Sequence, residues 1–121
     1  MFEVSPRSHD ATLGVRASGI LTDADYRLTL FPQLEKTIAE HARARLLVEI
    51  SDTFSGWDMA AAWDDAAFGL AHRADFSKIA LVGGPQWVVW SARLFAPLIS
   101  GELKVFPTER IQEAWAWIDA D

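Results

Sequence analysis

Arg45-Leu46-Leu47-Val48-Glu49-Ile50-Ser51 and Lys78-Ile79-Ala80-Leu81-Val82-Gly83-Gly84 are the two stretches that decide the fold. Both are too apolar for an exposed edge strand, and near-continuous runs of this kind belong to strands covered on both faces, as in a parallel sheet. Between them Met59, Ala62, Trp63, Ala66, Ala67 and Leu70 hold helical spacing, which predicts a helix over about 58–73. Strand, helix, strand in that order makes the two stretches the expected central parallel pair.

Outward from this pair, residues 2–5 and 12–18 are β-compatible and flank the polar turn Pro6-Arg7-Ser8-His9-Asp10, so they read as a hairpin that Gly19 ends. Thr22 followed by Asp23 and Asp25 predicts an N-cap with acids in the first helical turn. Tyr26, Leu30, Leu34 and Ile38 then give one apolar stripe, interrupted by Pro32, which predicts a kink or two shorter helices meeting near Phe31. After Gly83-Gly84-Pro85 a helix is expected over 87–98 with one charge, Arg93, and a stop at Pro97. Residues 102–106 form a last strand, and Pro107-Thr108 open a helix carrying Ile111, Ala114, Trp115 and Ile118 on one face. The order β-β-α-β-α-β-α-β-α predicts an α/β fold. It comprises a mixed, mainly parallel sheet of about five strands under about four helices, one domain over 1–121.

Composition limits what such a domain does. The chain has 121 residues, half of them hydrophobic, with six Trp and seven Phe, so an aromatic-rich core is expected and disorder is not. Cysteine is absent, which removes disulfides, thiolate nucleophiles, Cys-ligated zinc and iron–sulfur clusters, and fits a reducing, cytoplasmic setting. A net charge of −6 without a basic run gives nucleic acid no counterion-release drive for binding. The first residues lack the order of a signal peptide, and no apolar run reaches the roughly 20 residues of a membrane span, so neither export nor membrane insertion is expected.

Several passages together resemble the bacterial SpoIIAA-like family, relatives of STAS domains with a fold shared by lipid-binding CRAL-TRIO domains. They are Gly19-Ile20-Leu21-Thr22, Leu46 to Glu49, Phe54-Ser55-Gly56-Trp57, Trp63-Asp64 with Gly69 and His72, Phe76 with Ile79 to Gly83, Trp87, and Ala114 to Trp117. The resemblance spans nearly the whole chain and implies a fold more than an activity.

In an open α/β sheet, ligands lie beyond the carboxyl ends of the strands. The loops Asp52-Thr53-Phe54-Ser55-Gly56-Trp57 and Gly83-Gly84-Pro85-Gln86 both occupy that position, so Asp52, Phe54, Ser55, Gly56, Trp57, Gly83, Gly84 and Trp87 are candidate ligand or partner residues. The STAS resemblance implies a phosphorylated serine at this turn. Ser55-Gly56 matches the end of that motif, whereas Phe54 replaces its first serine and Trp57 follows its glycine. The plainer reading of Ser55 is a cap or turn residue, and a phosphate there would meet Asp52 and Asp58. The glycine pair reads as a tight turn, because Pro85 removes a donor that an anion would need.

The 87–98 helix has two apolar stripes, Trp87, Trp90 and Leu94 against Val88, Ala92 and Phe95, hence more than one surface to bury. Histidines 9, 41 and 72 sit at turns or helix ends, Asp65 and His72 lie about 10 Å apart along one helix, and Asp58, Asp64 and Asp65 read as solvated acids near a helix start. No catalytic triad, phosphate loop, metal site or cofactor is expected. The leading expectation is a non-enzymatic regulatory or protein-interaction module, with a homodimer among its possible assemblies. The alternative is a carrier or sensor of a small apolar or lipid-like ligand, its pocket lined by Trp57, Trp63, Trp87 and Trp90. A stoichiometric lipid-like adduct in native mass spectrometry separates the two, and the most informative structural observation is whether a closed apolar cavity lies beneath the Trp87 helix.

Overall fold

The computed structural model describes residues 1–120. In chain order its elements are β1 (Phe2–Val4), β2 (Thr12–Ala17), β3 (Ile20–Leu21), α1 (Asp23–Asp25), α2 (Phe31–His41), β4 (Ala44–Ile50), β5 (Gly56–Trp57), α3 (Met59–Ala71), β6 (Phe76–Val82), α4 (Gln86–Phe95), β7 (Glu102–Phe106) and α5 (Ile111–Asp119). The main sheet has the order β1-β2-β4-β6-β7. β1 is antiparallel to β2, and every other neighbouring pair is parallel. The hairpin and the central β4–β6 pair therefore stand as the residue pattern predicts. A second, two-stranded parallel sheet, β3 with β5, was not legible, because two-residue strands carry no periodicity.

Thr22 caps α1 through a reciprocal pair of bonds: its Oγ1 accepts from the Asp25 amide at 3.3 Å and its own amide donates to Asp25 Oδ2 at 2.9 Å. Between α1 and α2 the chain widens into a π-helical turn, Tyr26–Leu30, where the Phe31 amide reaches back to the Tyr26 carbonyl. Pro32 lacks the N–H of a regular helix and crowds the carbonyl four residues back, so it enforces this widening. The interruption expected near Phe31 takes that form.

Alternation along the strands divides the core. Leu13, Val15 and Ala17 of β2, Leu46 of β4 and Leu81 of β6 face α2, α3 and α4. Leu47, Ala80 and Val82 face α5, which buries Ala114, Trp115 and Ile118 against them. A Cβ on Gly14 would overlap the Trp115 ring, so glycine at that strand position lets the indole lie against the backbone. The C-terminal carbonyls of α5 are satisfied by two strand cations. Arg45 donates to Ile118 and Ala120 at 2.9 and 3.0 Å, and Lys78 to Trp117 and Ala120 at 2.9 and 2.6 Å.

Candidate functional site

The parallel β4–β6 pair brings its two exit loops together, and their aromatic side chains meet there. Ring centroids lie 5.3 Å apart for Phe54–Trp57, 5.2 Å for Trp57–Trp87 and 6.1 Å for Phe54–Trp87. Gly56, with φ at 119°, packs where a Cβ would touch Trp87 at 3.8 Å, and Gly84, with φ at 95°, lies over Ile50. Asp52, Phe54 and Gly84 also border a polar cleft of about 520 Å³ with Arg16, Glu49, Ser51 and Thr108. Ser55 is exposed, its hydroxyl donating to the Thr53 carbonyl at 3.3 Å, and it lines neither this cleft nor the cavity described next.

A second, apolar cavity of about 220 Å³ lies between the sheet and helices α2, α3 and α4. Its floor is Leu46, Val48, Ile79, Leu81 and Leu103, and its walls include Phe31 and Leu34 from α2, Phe68 and Gly69 from α3, and Val88, Ala92 and Phe95 from α4. The space has a cause in the sequence. α3 fully buries Ala61 alone, and the cavity faces of α3 and α4 carry Ala66, Gly69, Ser91 and Ala92, too small to reach the strands. Phe68 does not close the gap because it stacks on Phe31, centroid to centroid 4.2 Å.

The outward faces of the same two helices correct the expected pocket wall. Trp63 is 75% exposed and Trp90 58% exposed, and of Trp57, Trp63, Trp87 and Trp90 only Trp57 lines the cavity. In the stripe that defines α3 by spacing, Met59 and Trp63 point to solvent while Ala66 and Leu70 line the cavity. On α4 the inward stripe is Val88, Ala92 and Phe95, and the other is turned away. Packing favours the smaller faces because bulky indoles would hold the helices too far from the sheet.

Two polar side chains reach the apolar cavity. The Ser91 hydroxyl is occupied, donating to the Trp87 carbonyl of its own helix at 2.9 Å. Asp65 is an exposed residue whose carboxyl faces the cavity wall, where partial desolvation pushes its pKa from 3.8 up to about 6. Close by, the Tyr26 hydroxyl accepts a 2.6 Å bond from Trp57 Nε1, and burial followed by the negative Asp65 raises the phenol pKa. Asp65 is thus both the exposed acid its place near a helix start suggested and a residue that lines the cavity. Of the other two, Asp58 caps α3 by accepting from the Ala61 amide at 2.7 Å. The neighbouring Asp23 carboxyl holds Asp64 above the usual carboxylate range while Asp23 is held below it, and Asp64 Oδ2 is buried without a hydrogen-bond partner among the described residues. His72 is bonded to Asp75 at 2.8 Å and packs on Phe68, a structural role.

Among the described residues there is no cluster of three or more potential metal ligands, and no helix is long and apolar enough to cross a membrane. The SpoIIAA-like family model matches residues 12–119. This chain belongs to the SpoIIAA-like family. It is also similar to a crystal structure of an uncharacterized protein of the DUF3478 family with a SpoIIAA-like fold from Shewanella loihica PV-4. Identity is 30%, with 97% of this chain and 93% of that chain covered and a TM-score of 0.78. No curated protein matches. The resemblance carried by the residue pattern and the mixed, mainly parallel architecture are therefore both established, while the SpoIIAA-like relative brings no activity with it.

Proposed function

We propose that this SpoIIAA-like chain is a non-enzymatic carrier or sensor that holds a small apolar molecule between its sheet and helices α2, α3 and α4. The observation that carries this reading is the cavity of about 220 Å³ beneath α4. An apolar cavity of about 150 Å³ already takes a benzene-sized guest, so this one has room for a somewhat larger one. Sequence reasoning placed an interaction module first, and the cavity moves the carrier ahead of it. The test is displacement of the neutral dye Nile red by short alkyl compounds, together with native mass spectrometry. Wild-type protein is expected to bind one guest per chain. The Ala92→Trp variant, with an indole projecting into the space, is expected to bind none while keeping its circular dichroism spectrum. Equal binding by both proteins, or none by either, would sink the carrier.

A second reading, a docking module for another protein, has support in the outward faces of α3 and α4. Met59 and Trp63, one turn apart on α3, are 91% and 75% exposed and Leu94 on α4 is 75% exposed, and contiguous exposed apolar side chains mark interaction sites. Trp63→Ser and Trp90→Ser separate the two readings, because they leave the cavity wall intact. Loss of a co-purifying protein with guest binding unchanged would favour the module.

A further inference from the structure

The cavity that the carrier reading relies on is lined by one charged side chain, Asp65. Asp65 forms no hydrogen bond or salt bridge among the described residues, and no lysine, arginine or histidine lines the cavity with it. Asp65 is exposed and lines the cavity without a partner among the described residues, so its carboxylate is available to a guest that lies against the apolar walls.

We propose that the cavity selects, among apolar guests of its size, those whose one polar group is a protonated amine, with Asp65 as its counter-charge. The walls from α2 (Phe31, Leu34) and α4 (Val88, Ala92, Phe95) take the alkyl part. An alkyl ammonium stays charged near neutral pH and gives Asp65 a charge-assisted hydrogen bond, roughly twice as strong as a neutral one. An alcohol donates to the same carboxylate but brings no positive charge to offset it. A fatty acid anion fares worst, because its carboxylate meets Asp65 as a like charge with no cation in the walls to offset it. Ser91 does not change this order: its proton goes to the Trp87 carbonyl, so its oxygen can accept from an amine or an alcohol alike and has no donor left for a carboxylate. The net charge of −6 acts in the same sense on an approaching cation.

The experiment measures octylamine, octanol and octanoate binding by Nile red displacement at pH 7.5, with wild type and Asp65→Asn. Wild type is expected to hold octylamine about tenfold tighter than octanol, with octanoate weaker than both. Asp65→Asn is expected to bring octylamine to within about threefold of octanol, with octanol affinity itself falling by less than about threefold, and retained octanol binding shows the variant folded with its cavity intact. Octanoate binding as tightly as octylamine, or an amine preference that survives Asp65→Asn, overturns the proposal. If octanol binds but the three guests are not distinguished, the carrier reading stands and the amine selectivity falls. If none of the guests binds wild type, both fall.

Discussion

Asp65 links the cavity to pH. Its folded pKa of about 6 lies above the ordinary 3.8, so the folded state holds a proton between these values that the unfolded state has released. Stability from this residue is therefore greatest at low pH, declines as pH rises from 3.8 through 6, and its cost is complete above that. The titratable group coupled to it across the fold is Tyr26, whose phenol also feels Asp64 and Asp25, and the cavity walls from α2, α4 and the sheet add no charge. Urea denaturation at pH 4.5, 5.5 and 7 is expected to show Asp65→Asn gaining on wild type as pH rises, and parallel profiles would contradict this assignment. Gly14 offers a simpler test at the same scale. Gly14→Ala drives a methyl into the Trp115 ring, and overpacking of that kind is expected to cost about 1–3 kcal/mol in the same denaturation experiment. Nothing in the run Thr12-Leu13-Gly14-Val15 announces this contact, because its partner lies on α5, about a hundred residues away along the chain.

Among the elements, α3 and α5 are opposites. α5 seats Ala114, Trp115 and Ile118 in the core, whereas α3 fully buries only Ala61 and is set by its Asp58 cap, its neighbours around α1 and the Phe31–Phe68 stack. Opening free energy follows buried apolar contact, so amides of α3 are expected to exchange faster with deuterium than those of α5. A guest in the cavity touches α2, α3 and α4 but not α5, and should slow exchange in those three alone. Asp58→Ala removes the cap and is expected to cost about 1 kcal/mol and to speed α3 exchange further. The spacing of apolar residues made both helices legible, but not this difference. It depends on which residues reach the strands, and Ala61 is as plain in sequence as Ala62 beside it.

For the whole molecule, a guest that binds only the folded state stabilises it by mass action, about 2.7 kcal/mol at a hundredfold excess over Kd. Saturating octylamine is therefore expected to raise the melting temperature of wild type and leave Ala92→Trp unmoved. The local pattern was enough for the order of strands and helices, the hairpin and the central parallel pair. Each depends on periodicity and turn chemistry within a few residues, and the long apolar runs at 45–51 and 78–82 admit no other place than mid-sheet. The meeting of Trp57 with Trp87 followed from that pairing, and Phe54 joins them in the folded chain. Tertiary structure alone decided which sides of α3 and α4 turn inward. Both helices have apolar residues on opposite sides, so their hydrophobicity does not choose between orientations, and the choice falls to size against the sheet. The small faces won, which put Trp63 and Trp90 in solvent and brought Asp65 to an apolar cavity that no single stretch of the chain describes.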